Sequence, residues 1–228
     1  MSKHLIPLAA AVAALALTSC ESELASAVDQ DRIHTVYELF YNANEDVTKA
    51  RATFYFGSET GTRLELDGDA GVSFEGEDLN WQQALAYYEV ELAGFRESGS
   101  FRFVNTEGAA FTNAVAITAT DFPAEPADVP RDASYELAWD GPALGEDQTV
   151  SLTLLTEEVA GNDRLFWAND AGMEKILLPR DDLEKLTVGD ATLVLDRFED
   201  GELTEATSAG GKTIGHYRAR NAEVQILD

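Results

Sequence analysis

Apolar and polar side chains alternate along most of the sequence after residue 33, and this two-residue period constrains the fold more than any other feature. In 50–56, for example, alanine and phenylalanine occupy the even positions, while arginine, threonine and tyrosine occupy the odd ones. Successive side chains of a β-strand point to opposite sides, so this period is typical of half-buried strands. The same alternation recurs in 88–92, 135–139 and 150–154. The sequence therefore predicts an all-β fold.

Turns and prolines suggest how the strands are grouped. Glycine-bearing turns separate about seven short strands within 32–120, a spacing that favours a β-sandwich. Three of the six prolines lie within 121–131, and proline beside aspartate and alanine is typical of a linker. Alternation then resumes in 132–228. We therefore expect two antiparallel β-sandwich domains, 32–120 and 132–228, joined by the linker 121–131, with one large sandwich as the alternative.

Two short segments depart from the two-residue period. Residues 78–86 contain the good helix formers Gln82-Gln83-Ala84-Leu85-Ala86, which predict a helix in the first half of the chain. Residues 179–186 place Leu183 and Leu186 three positions apart, which favours one helical turn between sheets. Helix content is otherwise expected to be low.

The second half of the chain carries a weak family resemblance. Trp139-Asp140-Gly141-Pro142 stands between two alternating segments in 135–154. This arrangement resembles the immunoglobulin-like domains common in bacterial envelope proteins, over about residues 131–228. The resemblance implies an antiparallel β-sandwich with a buried tryptophan, although the paired cysteines of antibody domains are lacking. A fold analogy of this kind carries no function with it.

The first twenty residues have the layout of an export signal. Lys3 and His4 form a short basic start, and residues 5–17 form an apolar run of 13 residues interrupted by one proline. A helix that crosses the hydrocarbon core of a membrane needs about 20 apolar residues, so this run is too short for a permanent span. Residues 1–19 are therefore predicted to be a removable signal peptide.

The end of this segment resembles the lipobox of bacterial lipoproteins, because Leu17, Thr18 and Ser19 precede Cys20. The resemblance implies cleavage before Cys20, attachment of a diacylglyceryl group to its thiol and acylation of its new amino group. It thereby implies a membrane anchor, since two or more acyl chains hold a protein firmly. In enterobacterial lipoproteins an aspartate after the cysteine favours retention in the inner membrane. Glu21 at that position therefore favours the outer membrane.

Cys20 is also the only cysteine among the 228 residues. Exported proteins reach compartments in which disulfides form readily, and a single thiol cannot form one within the chain. Acylation accounts for this isolated cysteine. The next residues are small and polar without strand alternation, so 20–31 are expected to be the lipidated cysteine followed by a flexible tether.

The chain is strongly acidic, with 16 Lys and Arg against 42 Asp and Glu and a formal net charge of −26. Residues 1–19 contain one lysine and no acidic residue, so cleavage would make the charge more negative. Such a charge repels phosphate groups, which argues against nucleic acid as a partner. Its hydrophobic content of 45% nevertheless predicts a folded body. Solubility, adaptation to salt, and binding of Ca²⁺ or cationic partners each account for the acidity.

No catalytic motif stands out in the sequence. It lacks the G-x-S-x-G pattern of nucleophile elbows. The only histidines after the signal are His34 and His216, at strand positions typical of structural residues, and they supply too few ligands for zinc. Asp67-Gly68-Asp69 resembles the start of a calcium loop, but the resemblance fails at Gly71 and Val72, and a hairpin turn is favoured. The chain is therefore predicted to be non-enzymatic, with Ca²⁺ as the one alternative cofactor.

Two tryptophans are the candidate binding residues. Trp81 and Trp167 lie near turn residues, and tryptophan is enriched where proteins contact sugars or other proteins. Packing within the body is the alternative for both. Trp139 alternates with Tyr135 and Leu137 instead, and is predicted to lie in the core.

The leading hypothesis is a lipid-anchored lipoprotein of the cell envelope that binds another envelope protein or serves as a structural spacer. Two other function classes stay open. A carbohydrate-binding or carbohydrate-processing protein would use Trp81, Trp167 and the plentiful carboxylates. A calcium-dependent adhesion module would be stabilised by Ca²⁺ but not by Mg²⁺.

Overall fold

The computed structural model describes residues 22–124, 126–156 and 164–228, and these residues are mostly in β-strands, as predicted. The strands of the first half are β1 (Ser22–Leu24), β2 (Ile33–Asn42), β3 (Val47–Phe56), β4 (Arg63–Glu65), β5 (Gly71–Phe74), β6 (Glu77–Asp78), β7 (Asn80–Gln82), β8 (Tyr87–Ala93), β9 (Ser98–Val104) and β10 (Ala110–Ala116). Those of the second half are β11 (Val129–Pro130), β12 (Tyr135–Ala138), β13 (Gln148–Thr156), β14 (Arg164–Ala168), β15 (Lys175–Leu178), β16 (Gly189–Glu202), β17 (Gly211–Arg218) and β18 (Ala222–Leu227).

Short helical segments complete the described residues. A single α-helical turn, α1 (Arg180–Leu183), lies where the leucine spacing predicted one. Two 3-10 turns, Ala25–Ala27 and Gln30–Arg32, precede β2. Among the described residues, no helix has both the length and the apolar character needed to cross a membrane.

A twelve-stranded main sheet organises the molecule. Its strands follow the order β1-β4-β3-β2-β17-β16-β13-β14, with β8 and β7 added beside β3, and β18 and β11 added beside β16. The fourteen-residue strand β16 is long enough to pair with β13 along one edge and with both β17 and β18 along the other.

The main sheet combines the two halves of the sequence. Strand β2 pairs in parallel with β17 over eight residue pairs, from Thr35 opposite Gly211 to Asn42 opposite Arg218. This pairing revises the predicted division of the chain, because strands from 32–120 and from 132–228 share one sheet.

A continuous apolar core covers one side of the main sheet, which we call the inner face. In the first half, Tyr37 stacks on Phe101 and Phe54 packs on Phe103, so a four-stranded sheet of β10, β9, β5 and β6 covers β2 and β3. In the second half, the two-stranded sheet of β12 and β15 contributes buried residues to the same core. The two smaller sheets therefore lie side by side on one face of the large sheet.

The residues expected to form a flexible tether pack against the body instead. Strand β1 pairs in parallel with β4, and Ala25 is fully buried. The Gln30 side chain is buried and donates a hydrogen bond of 2.7 Å to the Ala25 carbonyl oxygen. Ser26 donates to the Asp67 carboxylate through both its backbone N–H and its hydroxyl. The prediction of a tether is therefore wrong for residues 22–31, because these local bonds replace solvation of the segment.

The predicted linker is also attached to the body. Asp121 forms an isolated β-bridge with Asp140, and both backbone N–H groups donate across it. Further along, β11 pairs in parallel with β18, which buries Val129 completely. The described residues of 121–131 therefore form part of the packed structure.

Arg197 fastens the start of this segment to the main sheet. Its side chain lies on the inner face of β16 and is only 2% exposed. The guanidinium donates hydrogen bonds to the Thr120 hydroxyl and to the carbonyl oxygens of Pro142 and Ala143, at 3.0, 2.8 and 3.1 Å. Burial lowers the pKa of Arg197. These oxygens accept from its two terminal nitrogens, whereas the buried Nε has no hydrogen-bond partner.

The helix predicted for residues 78–86 is replaced by a hairpin. Strand β7 pairs antiparallel with β8, and the turn between them places Ala86 at a positive φ of 52°. Trp81 lies opposite Tyr88 in this pair, with ring centroids 4.9 Å apart. Packing of these two rings outweighs the helix propensity of the intervening residues.

Candidate functional site

The side of the main sheet opposite the core, here called the outer face, carries a row of charged and aromatic residues. Directly opposed residues of neighbouring strands project to the same side. The register therefore brings residues from seven strands onto this face: Glu89, Arg51, Glu38, Phe40, His216, Arg218, Asp196, Phe198, Ser151, Thr153, Trp167 and Leu165.

His216 lies at the centre of the outer face and is 8% exposed. Its Nε2 is 2.7 Å from an oxygen of Asp196, and its Nδ1 is 3.4 Å from an oxygen of Glu38. Each ring nitrogen thus faces a carboxylate, an arrangement that favours the doubly protonated, charged imidazolium.

Two aromatic rings shield this histidine. Phe40 and Phe198 each stack on His216 with a centroid separation of 4.2 Å. They lie on the neighbouring strands β2 and β16, directly opposite His216 in the ladder. The imidazole is therefore held between two rings and two carboxylates.

Arginines extend the cluster on both sides. Arg218 forms two hydrogen bonds with Asp196, at 2.8 and 3.1 Å. Arg51 bridges Glu38 at 3.1 Å and Glu89 at 2.6 Å. With His216, these residues form a continuous charged network of six side chains that crosses strands β8, β3, β2, β17 and β16: Glu89, Arg51, Glu38, His216, Asp196 and Arg218.

The pKa values reflect this pairing. Burial alone would lower the pKa of His216, but hydrogen bonds to Asp196 and Glu38 outweigh it and raise that pKa above 6.5. Burial would raise the pKa of Asp196 and of Glu38, yet His216 and an arginine on each keep both values below their ordinary range. The pairing therefore favours the charged forms of His216, Asp196 and Glu38.

This chemistry is suited to holding the sheet together. Each carboxylate of the network accepts hydrogen bonds from a cation within it, and His216 has both ring nitrogens engaged. General acid–base catalysis needs a group positioned to exchange a proton with a substrate. The network instead joins five adjacent strands. The sequence predicted a structural role for His216 from its strand position, and its place within this network is suited to such a role.

Trp167 lies near one end of the outer face and is 55% exposed. It lies on β14, the last strand of the main sheet, and faces Ser151 of β13, which in turn faces Asp196. Leu165, two residues before it on the same side of β14, is 49% exposed. We call this pair of exposed apolar side chains the distal end of the sheet.

The structure separates the two tryptophans that the sequence proposed as a binding platform. Trp81 lies on β7, at the edge of the main sheet away from β14, and packs against the core beside Tyr88. Trp167 alone projects as an exposed ring. Trp139 lies in the core, as predicted, and its indole N–H donates to the Pro142 carbonyl oxygen at 3.2 Å.

The candidate calcium turn has a local structural role. Both carboxylate oxygens of Asp67 accept hydrogen bonds from Ser26, which lowers the pKa of Asp67. Gly68 adopts a positive φ of 63°, as a tight turn requires. Within the described parts of the chain, no three His, Cys, Asp or Glu side chains are grouped so as to hold a metal ion.

The residues of the lipobox, Leu17, Thr18, Ser19 and Cys20, lie outside the described residues. No protein-family model matches the chain, and a search of curated proteins finds no match.

Proposed function

We propose that the protein is a lipid-anchored component of the bacterial cell envelope and is held in the outer membrane through Cys20. We further propose that its distal end binds another envelope protein. The observation that carries the binding role is the exposure of Trp167 and Leu165 side by side on a terminal strand. Large apolar side chains that protrude together from an otherwise charged surface are typical of interaction sites.

The energetics favour a small apolar binding site of this kind. Tryptophan combines a large apolar area with little conformational freedom, and it is enriched among the residues that dominate interfaces. Truncation of such an interface tryptophan to alanine costs about 2 kcal/mol or more in binding free energy. Leu165 enlarges the apolar area, and the rigid ladder between β13 and β14 fixes both side chains before binding.

A protein partner fits the polar surroundings better than a sugar does. Sugar recognition combines an aromatic platform with free hydrogen-bonding groups nearby. Asp196, the carboxylate nearest in register to Trp167, is 4% exposed and is occupied by His216 and Arg218. The partner is therefore expected to recognise mainly the apolar pair, with basic side chains complementing the acidic surface.

Site-specific photo-crosslinking in the native bacterium tests the binding role. A photoreactive aromatic residue at position 167 is expected to form one dominant crosslinked product with an envelope protein. Position 188 is the matched control, because Val188 is also an exposed apolar residue, at 46%, but lies just before β16, eight residues along the chain from Asp196. Equal crosslinking from both positions would contradict the proposal.

Quantitative binding completes the test. The purified partner should bind the wild-type body about 30-fold more tightly than the Trp167→Ala variant, as the loss of 2 kcal/mol implies. Glycan binding that is lost in Trp167→Ala, without any protein crosslink, would replace the proposal with carbohydrate recognition.

A further inference from the structure

The proposed anchor and the folded body are separated by a very short connection. Only Glu21 lies between Cys20 and Ser22, the first residue of β1. Consecutive Cα atoms of a trans chain are 3.8 Å apart, and two residues span at most about 7 Å. The inference below rests on the proposed lipidation of Cys20, and it concerns how the body then lies on the membrane.

Strand β1 cannot act as a spacer, because it belongs to the main sheet. Ser22 pairs with Arg63 and Leu24 pairs with Glu65 in a parallel ladder. The chain beyond β1 is held by the buried Ala25 and by the hydrogen bonds from Ser26 to Asp67. A lipid on Cys20 would therefore bring this edge of the sheet to the membrane surface.

This edge exposes two leucines. Leu24 is 49% exposed on β1, and Leu85 is 52% exposed in the turn between β7 and β8. The Arg63 guanidinium donates a hydrogen bond to the Leu85 carbonyl oxygen and also lies 5.8 Å from the centre of the Tyr55 ring. Arg63 thus lies beside Leu85 and opposite Ser22, two residues before Leu24, which itself lies opposite Glu65. We call Leu24, Arg63 and Leu85 the proximal end of the sheet.

We propose that the proximal end rests on a zwitterionic phospholipid surface, with Leu24 and Leu85 inserted at the boundary between headgroups and acyl chains. Exposed leucines beside a basic residue suit this boundary, since the apolar side chains enter it while the arginine meets lipid phosphate. The net charge of the chain disfavours a strongly anionic surface. The short connection to the lipid on Cys20 would hold the two leucines at the membrane surface, whereas insertion of two leucines alone would not hold the protein there.

The sheet path sets how far the distal end can lie from the membrane. Eight strands run from β1 to β14, and neighbouring strands lie about 4.8 Å apart, so the path covers up to roughly 34 Å. With the sheet upright on its proximal end, the distal end with Trp167 would lie up to this distance from the lipid surface.

Depth-dependent fluorescence quenching tests this orientation. The lipidated mature protein, which begins at Cys20, is reconstituted into phosphatidylcholine and phosphatidylethanolamine vesicles that contain lipids with a nitroxide on the headgroup. Because Cys20 is the only cysteine and its thiol would be acylated, Leu85→Cys adds a single reactive thiol for an environment-sensitive dye. Val188→Cys, at 46% exposure in the wild type, provides the matched control.

The expected result is about threefold stronger quenching at position 85 than at position 188, because insertion reaches about 5–10 Å into the interface. Should Leu85→Cys fail to fold, Leu24→Cys gives the same readout from the other leucine. A Gly/Ser spacer of about twelve residues between Glu21 and Ser22 is expected to reduce the quenching at position 85 to the level of the control.

Flotation of the same vesicles distinguishes the two ways of failing. Protein that does not float with the vesicles would overturn the lipid anchor and the orientation together. Protein that floats but shows equal quenching at positions 85 and 188 would overturn only the contact of the proximal end with the membrane.

Discussion

The proximal and distal ends of the main sheet both expose apolar side chains, yet their surroundings differ. At the proximal end, the exposed Leu24 follows the proposed lipid on Cys20 by four residues, and the exposed Leu85 lies beside Arg63. At the distal end, Trp167 and Leu165 share one side of the last strand of the path, with no such connection to a membrane. Under the proposed function, similar exposure would therefore serve different purposes at the two ends, according to what the chain places beside it.

The charged network lies between these two ends, on the strands from β8 to β16. It crosses five strands, with His216 at its centre, and its ion pairs are partly or fully removed from solvent. Three kinds of substitution therefore test the regions one at a time: those that remove the anchor, those that break the network and those that remove the distal side chains. Each is expected to affect one property and leave the others in place.

Loss of the anchor has the largest expected effect. Each buried methylene of an acyl chain contributes about 0.8 kcal/mol, so Cys20→Ser should move nearly all of the protein from the membrane to the soluble fraction. The mass of the protein should also fall short of the lipidated form, as mass spectrometry would show. A variant that still partitions with membranes at unchanged mass would remove the lipoprotein interpretation. Trp167→Ala serves as a control that keeps the anchor.

Breaking the network has the next largest effect. Asp196 is 4% exposed and holds both His216 and Arg218, so Asp196→Ala leaves two cations without their main partner. We expect the free energy of unfolding to fall by about 3 kcal/mol, as denaturant titration would measure. Membrane partitioning should not change. A loss below about 0.5 kcal/mol, typical of ordinary surface substitutions, would show that the network does not hold the sheet.

Truncation at the distal end is expected to affect binding and spare stability. Trp167→Ala removes a half-exposed side chain, so its effect on the free energy of unfolding should stay within about 0.5 kcal/mol. The loss of about 2 kcal/mol in partner binding should accompany it. Trp81→Ala is the contrasting variant, because that ring packs against the core, and it should reduce stability without weakening partner binding. The reverse pattern would exchange the roles of the two tryptophans.

The smallest expected effect is a dependence of stability on pH. The raised pKa of His216 makes its contribution complete below pH 6.5 and lost as the pH rises through the folded-state value. The lowered pKa values of Asp196 and Glu38 make theirs present above about pH 4.5 and lost as the pH falls through the folded-state values. The melting temperature should therefore fall between pH 6 and pH 8, by about 2–4 °C for each kcal/mol lost.

His216→Gln is the control for this titration, since glutamine keeps hydrogen-bonding capacity but carries no charge. Its melting temperature should vary less than that of the wild type between pH 6 and pH 8. Differential scanning calorimetry at low salt measures both. Parallel curves for the two proteins would assign the pH dependence to the other acidic groups.

Local patterns in the sequence predicted what local forces decide. Alternation identified strands such as β3 and β13, and leucine spacing identified the turn α1. The core position of Trp139 followed from the same alternation. In each case the burial of one face is set by residues within a few positions of each other, so a short window of sequence contains the necessary information.

Features that depend on distant residues were not accessible in this way. Thr35 and Gly211 pair across most of the chain, so no local signal indicated that the two halves share a sheet. His216 meets Glu38 and Asp196 only after β2, β16 and β17 have come together. The segment 22–31 lacks alternation because turns and side-chain bonds, rather than a strand face, attach most of it to the body.

The parallel pairing of β2 with β17 also has a consequence for how the protein is made. Until β17 has been synthesised, β2 lacks the neighbour that completes its side of the sheet, so folding must wait for almost the whole chain. A fragment that ends before residue 211 would keep an open strand edge, which promotes aggregation. Late closure of this kind would suit the proposed export, in which the chain crosses a membrane before it folds.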